Sequence, residues 1–224
     1  MPASENRGNL LAPDGIFPVF GMLGAGLVAA FLAVTISPWF WCLAVPVLVF
    51  GLFLAWFFRD PTRTPLGGVN DLVSPADGRV LAAEAGFVDD RFLNETVTRI
   101  SIFMSPVDVH VNRNPLDGEV LAVHYNPGRY FAAYSHKASL DNEQNAVVMK
   151  ASEGRRLAYV QIAGFLARRI VCNLAAGDQC VRGERMGMIK LGSRVDIFVP
   201  GSFRLDVQPG DRVSAGETIL GRLE

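Results

Sequence analysis

From Gly15 to Phe58 the chain runs for 44 residues without an Asp, Glu, Lys, Arg or His. A bilayer core is ~30 Å thick and takes about 20 apolar helical residues to cross, so this run is long enough for two passes. Ser37-Pro38 sits in its middle, where a hairpin needs its turn, and proline starts a helix well. The run therefore predicts one helix over Ile16 to Ile36 and a second over Trp39 to Phe58. Trp39, Phe40 and Trp41 fall at the turn and Trp56, Phe57 and Phe58 at the far end, as in interfacial aromatic belts. A cleaved signal peptide fits poorly, because Arg7 is the only positive charge before the run and no cleavage signal follows it. A buried hairpin inside a soluble protein is the competing reading. Arg7, Arg59 and Arg63 flank the hairpin while its turn is uncharged, which by the positive-inside rule places both ends in the cytoplasm, at the inner (cell) membrane. The same charge pattern fits a hairpin lying in the interface.

After Phe58 the composition is that of a soluble domain, with 20 basic and 20 acidic residues. This balance disfavours a polybasic nucleic-acid binder. About 165 residues suffice for one sizeable core. Three cysteines exclude a disulfide scaffold, and Cys172 and Cys180 lack the spacing and nearby His of a zinc site. Short runs rich in β-branched and aromatic residues, such as Thr98 to Phe103, Ala146 to Met149 and Leu157 to Ile162, are punctuated by Gly, Pro, Asn and Asp. They predict a mostly β domain. Helical candidates there are the stretch around Ala138 to Asn145 and Gly164 to Ala175, the second of which could equally contain a strand.

The segment Gly177 to Glu184 matches Gly210 to Glu217, 33 residues on, as Gly-Asp-x-apolar-x-x-Gly-Glu. Glycines give the positive φ of tight turns, and the apolar residue can plug the space beneath. Two copies suggest a β-sandwich or barrel-sandwich hybrid built from paired hairpins. The predicted organisation is a tail over 1–14, a membrane-anchoring helical hairpin over 15–58 and a β domain over 59–224.

Several chemistries lack their motif. There is no P-loop, no dinucleotide fingerprint and no His-Glu-x-x-His. No lysine occupies the hairpin tip that a biotin or lipoate carrier needs. Lys190-Leu191-Gly192-Ser193-Arg194 lies between the repeat copies, and on spacing alone Gly192-Ser193 is a turn before a strand.

Four segments, in order, change that weighting: Phe57 to Pro61, Val73-Ser74-Pro75-Ala76-Asp77-Gly78, Phe103 to Arg113, and Leu191-Gly192-Ser193-Arg194. Together they resemble the proenzymes of the phosphatidylserine decarboxylase family, of the short bacterial and archaeal type. The resemblance implies that the chain cuts itself between Gly192 and Ser193. Ser193 Oγ would attack the Gly192 carbonyl, and elimination would leave dehydroalanine, which hydrolyses to a pyruvoyl group. The products would be a β chain, 1–192, and a 32-residue α chain, 193–224, that stay associated. Serine offers both a nucleophile and a β-oxygen leaving group, and glycine leaves the attacked carbonyl unhindered. The pyruvoyl carbonyl would form a Schiff base with the substrate amine and take up the electrons left by CO2, with neither metal nor pyridoxal phosphate. Phosphatidylserine would become phosphatidylethanolamine, and the anchor suits a substrate that lives in the bilayer.

Within the resemblance His110 is the acid/base candidate, since an imidazole titrates near working pH. On the residues alone it reads equally as a hydrogen-bonded core histidine. Asp77 matches the family aspartate assigned to self-cleavage, and by itself reads as a turn residue before Gly78. Longer bacterial members carry a second His three residues after the one matching His110; this chain has Arg113 there. Arg113 and Arg194 are candidates for holding the substrate carboxylate or phosphate. His124 and His136 match no motif. From Lys150 to Arg194 there are nine basic and three acidic residues, either a lipid-docking surface or a solvated mixed one. Two other functions stay open: a membrane-anchored hybrid-fold adaptor without catalysis, and a pyruvoyl decarboxylase of another amine. For the self-cleaving readings, a homo-oligomer of the αβ unit stays open.

Overall fold

The computed structural model describes residues 9–129, 142–164, 169–190 and 193–224. Gly192, His136, Arg168 and Arg7 lie outside the described residues. The chain divides into two compact units, Arg7–Thr62 and one beginning at Arg63.

In the first unit, α1 (Pro13–Thr35) and α2 (Trp41–Phe57) are joined by a short turn of 3-10 helix, Pro38–Phe40. The turn falls where Ser37-Pro38 predicts it. Both helices are long and apolar enough to cross a membrane. Their seam is made of small residues. A Cβ on Gly26 would come within 2.6 Å of Leu48, and one on Gly51 within 2.8 Å of Leu23. Such close backbone approach is how helices associate when water supplies no hydrophobic drive. The outer faces stay bare: Phe17 is 89% exposed, Trp39 83% and Leu52 62%. A hairpin serving as the core of a soluble protein would bury these side chains. The base is closed by Ala12 N donating to Phe58 O (2.7 Å), and the Arg59 guanidinium stacks 4.3 Å over Trp56.

The second unit is β throughout its described residues. Its strands are β1 (Asp71–Val73), β2 (Gly78–Asp89), β3 (Glu95–Met104), β4 (Val111–Arg113), β5 (Gly118–Asn126), β6 (Gln144–Ala151) and β7 (Arg156–Ala163). They continue with β8 (Ile170–Cys172), β9 (Gln179–Cys180), β10 (Arg185–Ile189), β11 (Ser193–Pro200), β12 (Phe203–Leu205), β13 (Arg212–Val213) and β14 (Ile219–Leu223). Neither helical candidate is a helix among its described residues: Gln144–Ala151 is a strand, and the other contains Ile170–Cys172. An eight-stranded antiparallel sheet has the order β13-β2-β3-β11-β7-β6-β5-β9. Two three-stranded sheets, β1-β14-β12 and β4-β10-β8, pair separately. The main core joins all three and includes Leu72, Ile100, Ile102, Met104, Tyr159, Met186, Ile189, Val195 and Leu220. A smaller cluster on the other face of the large sheet holds Val97, Val148, Val160, Ile162 and Phe198, with Leu93, Phe87 and Phe92 packed on it.

This is a duplication, with its pseudo-twofold between β11 and β7. In strand order β13, β2, β3 and β11 mirror β9, β5, β6 and β7, and each small sheet repeats the other. The Gly-Asp repeat marks one corner of each copy, where Cys180 of β9 and Val213 of β13 plug the core. A second repeat marks the partner corner: Pro-x-Asp-Gly-x-Val-Leu-Ala recurs at 75–82 and 115–122. Both glycines are forced by space, since a Cβ would lie 2.0 Å from Phe103 O at Gly78 and 2.2 Å from Lys150 O at Gly118.

Candidate functional site

Ser193 opens β11, the strand flanked by β3 on one side and β7 on the other, opposite Met104 and Ala163. Strand alternation turns Ser193 toward the main core with Val195, Ile197 and Val199. Ser193 is 0% exposed, and its hydroxyl donates to Met104 Sδ at 3.3 Å. A thioether is a weak acceptor, so the proton of this hydroxyl is lightly held. Asn112 Nδ2 approaches the same sulfur at 3.6 Å and Pro75 O at 3.4 Å. The site thus draws together three of the four segments singled out in the sequence, through Pro75, Met104 with Asn112, and Ser193.

His110 is fully buried two residues before Asn112. Its Nδ1 lies 2.9 Å from Asp108 O. A carbonyl can only accept, so Nδ1 carries a proton and Nε2 is the nitrogen that exchanges one. The turn before it is tied by Asp108, whose Oδ2 accepts from Ser105 N (2.8 Å) and Ser105 Oγ (2.6 Å).

The remaining sequence candidates have partners of their own. Asp77 Oδ1 accepts from Ala215 N at 2.7 Å, and its other oxygen pairs with Arg63 at 2.9 Å. The duplication supplies an internal comparison: Asp117 accepts from Arg182 N at 2.8 Å, at the equivalent place in the other copy. The bond common to both copies belongs to the fold, and the Arg63 pair is peculiar to Asp77's copy. Arg113 is buried on the opposite side of β4 from Asn112; it donates to Gly183 O (3.0 Å), and its Cδ packs where a Cβ on Gly216 would come within 2.9 Å. It braces the two Gly-Glu turns. Arg194 is 4% exposed and its Nε lies 2.8 Å from Asp196, on the face of β11 away from Ser193. Several arginines of the basic stretch after Lys150 are tied to the fold. Arg155 reaches Ser202 O and Glu224 O, Arg156 reaches Glu95, and Arg182 reaches the carbonyls of Gly67, Gly68 and Asp71. His124 is exposed on β5. Burial pushes the Cys180 thiol up to about 12, and Cys172 is raised for the same first reason.

Comparison with known proteins adds to this geometry. The profile of the phosphatidylserine decarboxylase family matches residues 50–221. The chain belongs to the phosphatidylserine decarboxylase family. Its similarity runs nearly end to end: a phosphatidylserine decarboxylase proenzyme of Geobacter metallireducens is 44% identical over 221 residues, covering 98% of this chain and 99% of that one. The proenzyme of Aromatoleum aromaticum is 46% identical over 180 residues, 80% of this chain and 83% of its own. That of Geotalea uraniireducens is 43% identical over 197 residues, 88% and 92%. Membership in this family removes the adaptor reading. Sequence reasoning missed Met104 as the serine's partner, and Asn112 and Gln161 behind it. Asn112 and Met104 lie inside the segment that carries the resemblance, but nothing in one chain's sequence says that their side chains converge.

Proposed function

We propose that this protein is a self-processing, membrane-anchored decarboxylase that converts phosphatidylserine to phosphatidylethanolamine and CO2. The observation that carries the proposal is the placement of Ser193: a buried hydroxyl, held only by a thioether among the described residues, at the entry to a strand paired on both sides. In the first step Ser193 Oγ bonds to the Gly192 carbonyl carbon and the amide C–N bond breaks, giving an ester. Loss of the Ser193 Cα proton then expels the Gly192 carboxylate, and water converts the dehydroalanine to a pyruvoyl group with release of ammonia. Bound substrate amine would find in that group a carbonyl able to withdraw the electrons left by CO2. The surroundings fit a small uncharged carbonyl group, since Met104 and Ala163 flank the position and Asn112 offers a donor nearby.

In this reading His110 handles a proton at Nε2, while Asp77, Arg113 and Arg194 brace the sheet around the site. The hairpin crosses the bilayer and returns to the cytoplasmic side, where the β domain meets its lipid substrate. The test is the intact mass of the denatured wild-type protein. Two chains, 1–192 and a blocked 193–224, are the expected result; one uncut chain in a folded preparation sinks the reading.

The α chain stays bound because β11 is hydrogen-bonded on both edges and β14 lies between β1 and β12. A clamp at the edge reinforces this: Asp71 of the β chain takes Arg222 Nε of the α chain at 2.7 Å. The Gly68 N–H, then the Arg222 guanidinium, hold the Asp71 carboxyl below its ordinary 3.8. A carboxyl lowered by folding stabilises fully above its ordinary value, and the contribution is lost as pH falls through the lowered one. Asp71→Asn should therefore let the chains separate at lower urea at pH 7 and flatten the acid dependence of separation. Size-exclusion chromatography of the cut protein across pH 2–7 measures both, and an unchanged urea midpoint would remove the clamp. Arg222 is half exposed, so the effect is modest.

A further inference from the structure

The buried amides behind Ser193 form a directed chain. Asn145 on β6 and Gln161 on β7 are cross-strand partners, and Asn145 Nδ2 donates to Gln161 Oε1 at 3.3 Å. Gln161 Nε2 donates in turn to Asn112 Oδ1 at 2.9 Å and to Val171 O at 3.3 Å. Asn112 Nδ2 then faces Met104 Sδ, the atom that also receives the Ser193 hydroxyl. Asn112, Gln161 and Met104 are all 0% exposed, and Asn145 is 4% exposed. A carboxamide has a donor end and an acceptor end of nearly equal size, and only its partners decide which way it points. With Gln161 donating to its oxygen, Asn112 turns its NH2 toward Met104 Sδ and Pro75 O.

This direction matters for the chemistry proposed above, on which the inference rests. Were Asn112 flipped, a carboxamide oxygen would face the serine's side of the pocket. That oxygen accepts an O–H far more strongly than a thioether, and beside Met104 Sδ it would compete with the sulfur for the Ser193 hydroxyl. In the native direction the hydroxyl meets a weak acceptor beside a donor. We propose that Gln161 and Asn112 are positioning residues for self-cleavage: Gln161 fixes the direction of the Asn112 amide, and Asn112 with Met104 keeps the Ser193 hydroxyl available. In the step they serve, the Oγ–C bond to Gly192 forms, the C–N bond breaks, and the hydroxyl proton ends on the released nitrogen.

The test is a time course of self-cleavage by intact mass for the wild type, Gln161→Met, Asn112→Ala and the double variant. Gln161→Met keeps the length and removes the donor; loss of one such bond should slow cutting about fivefold or more. Asn112→Ala should slow it too. Because Gln161 acts through Asn112, the double variant should cut no more slowly than Asn112→Ala alone. Gln161→Glu is the second arm, in case the methionine variant misfolds. Its carboxylate cannot donate, whereas its protonated form can, so its cutting should recover as pH falls while the wild type shows no such recovery. Wild-type cutting together with unchanged rates in Gln161→Met, with rate losses that multiply in the double variant, or with no acid recovery in Gln161→Glu overturns the inference alone. A folded wild type that never cuts overturns the reading beneath it as well.

Discussion

Ser193→Ala should stay a single chain of 24.3 kDa indefinitely, and should show no decarboxylation of phosphatidylserine in vesicles. The substitution removes one atom. The lost bond is a hydroxyl to a thioether at 3.3 Å, the weakest kind of acceptor, in a position that is already dry. Removing a hydroxyl from such a place leaves no strong partner unsatisfied, so the change in stability should be within about 1 kcal/mol. β11 keeps its ladder on both sides, since those bonds are backbone bonds. A folded but uncut variant would therefore place the lesion in chemistry and not in folding. The measurement is intact mass beside a thermal melt. A Ser193→Ala protein that still divides at the same bond would remove Ser193 from the reaction, and activity without division would remove the need for a group made from it.

The hairpin was legible because its signal is composition over 44 residues, and Ser37-Pro38 marks the turn whatever the rest does. The β class was legible for a similar reason, as were the Gly-Asp turns, where Gly177, Gly183, Gly210 and Gly216 all take positive φ. The full duplication is harder to see, because its second marker, Pro-x-Asp-Gly, recurs at a spacing of 40 while the first recurs at 33. One copy is inserted into the other, so no single period runs through the chain. At the site, alternation within a strand assigns Ser193 and Arg194 to opposite faces as soon as β11 is recognised, and that much could have been read in advance. The partners of those faces could not. Arg113 follows Asn112 in the chain, yet one braces turns and the other reaches Met104, because pairing between distant strands decides what each face meets. Gln161 carries no motif at all. Its place behind Asn112 follows from the register of β7 against β6, which a sequence does not print.

His110→Ala should cut at close to the wild-type rate and then fail to turn over, with kcat lower by about 10²–10⁴, the usual worth of a positioned acid or base. The two halves of the prediction have separate grounds. Ser193 Oγ has Met104 Sδ as its hydrogen-bond partner, so removing the imidazole takes nothing directly from the attacking hydroxyl. Turnover differs, because a proton must be delivered to the substrate carbon after CO2 departs. His110 is a buried imidazole just before β4, and its Nδ1 is committed to Asp108 O, which leaves Nε2 as the exchanging atom. His110→Gln tests that assignment, since its amide can replace the hydrogen bond to Asp108 O but cannot shuttle a proton. It should match His110→Ala in kcat while melting closer to the wild type. Turnover in D2O provides the decisive readout: delivery from a fixed imidazole places deuterium on one face of the product carbon, and water alone places it on both. Stereospecific labelling retained in His110→Ala would assign the proton to another group. An uncut His110→Ala protein that melts normally would instead move His110 into the self-cleavage step, as the base for Ser193.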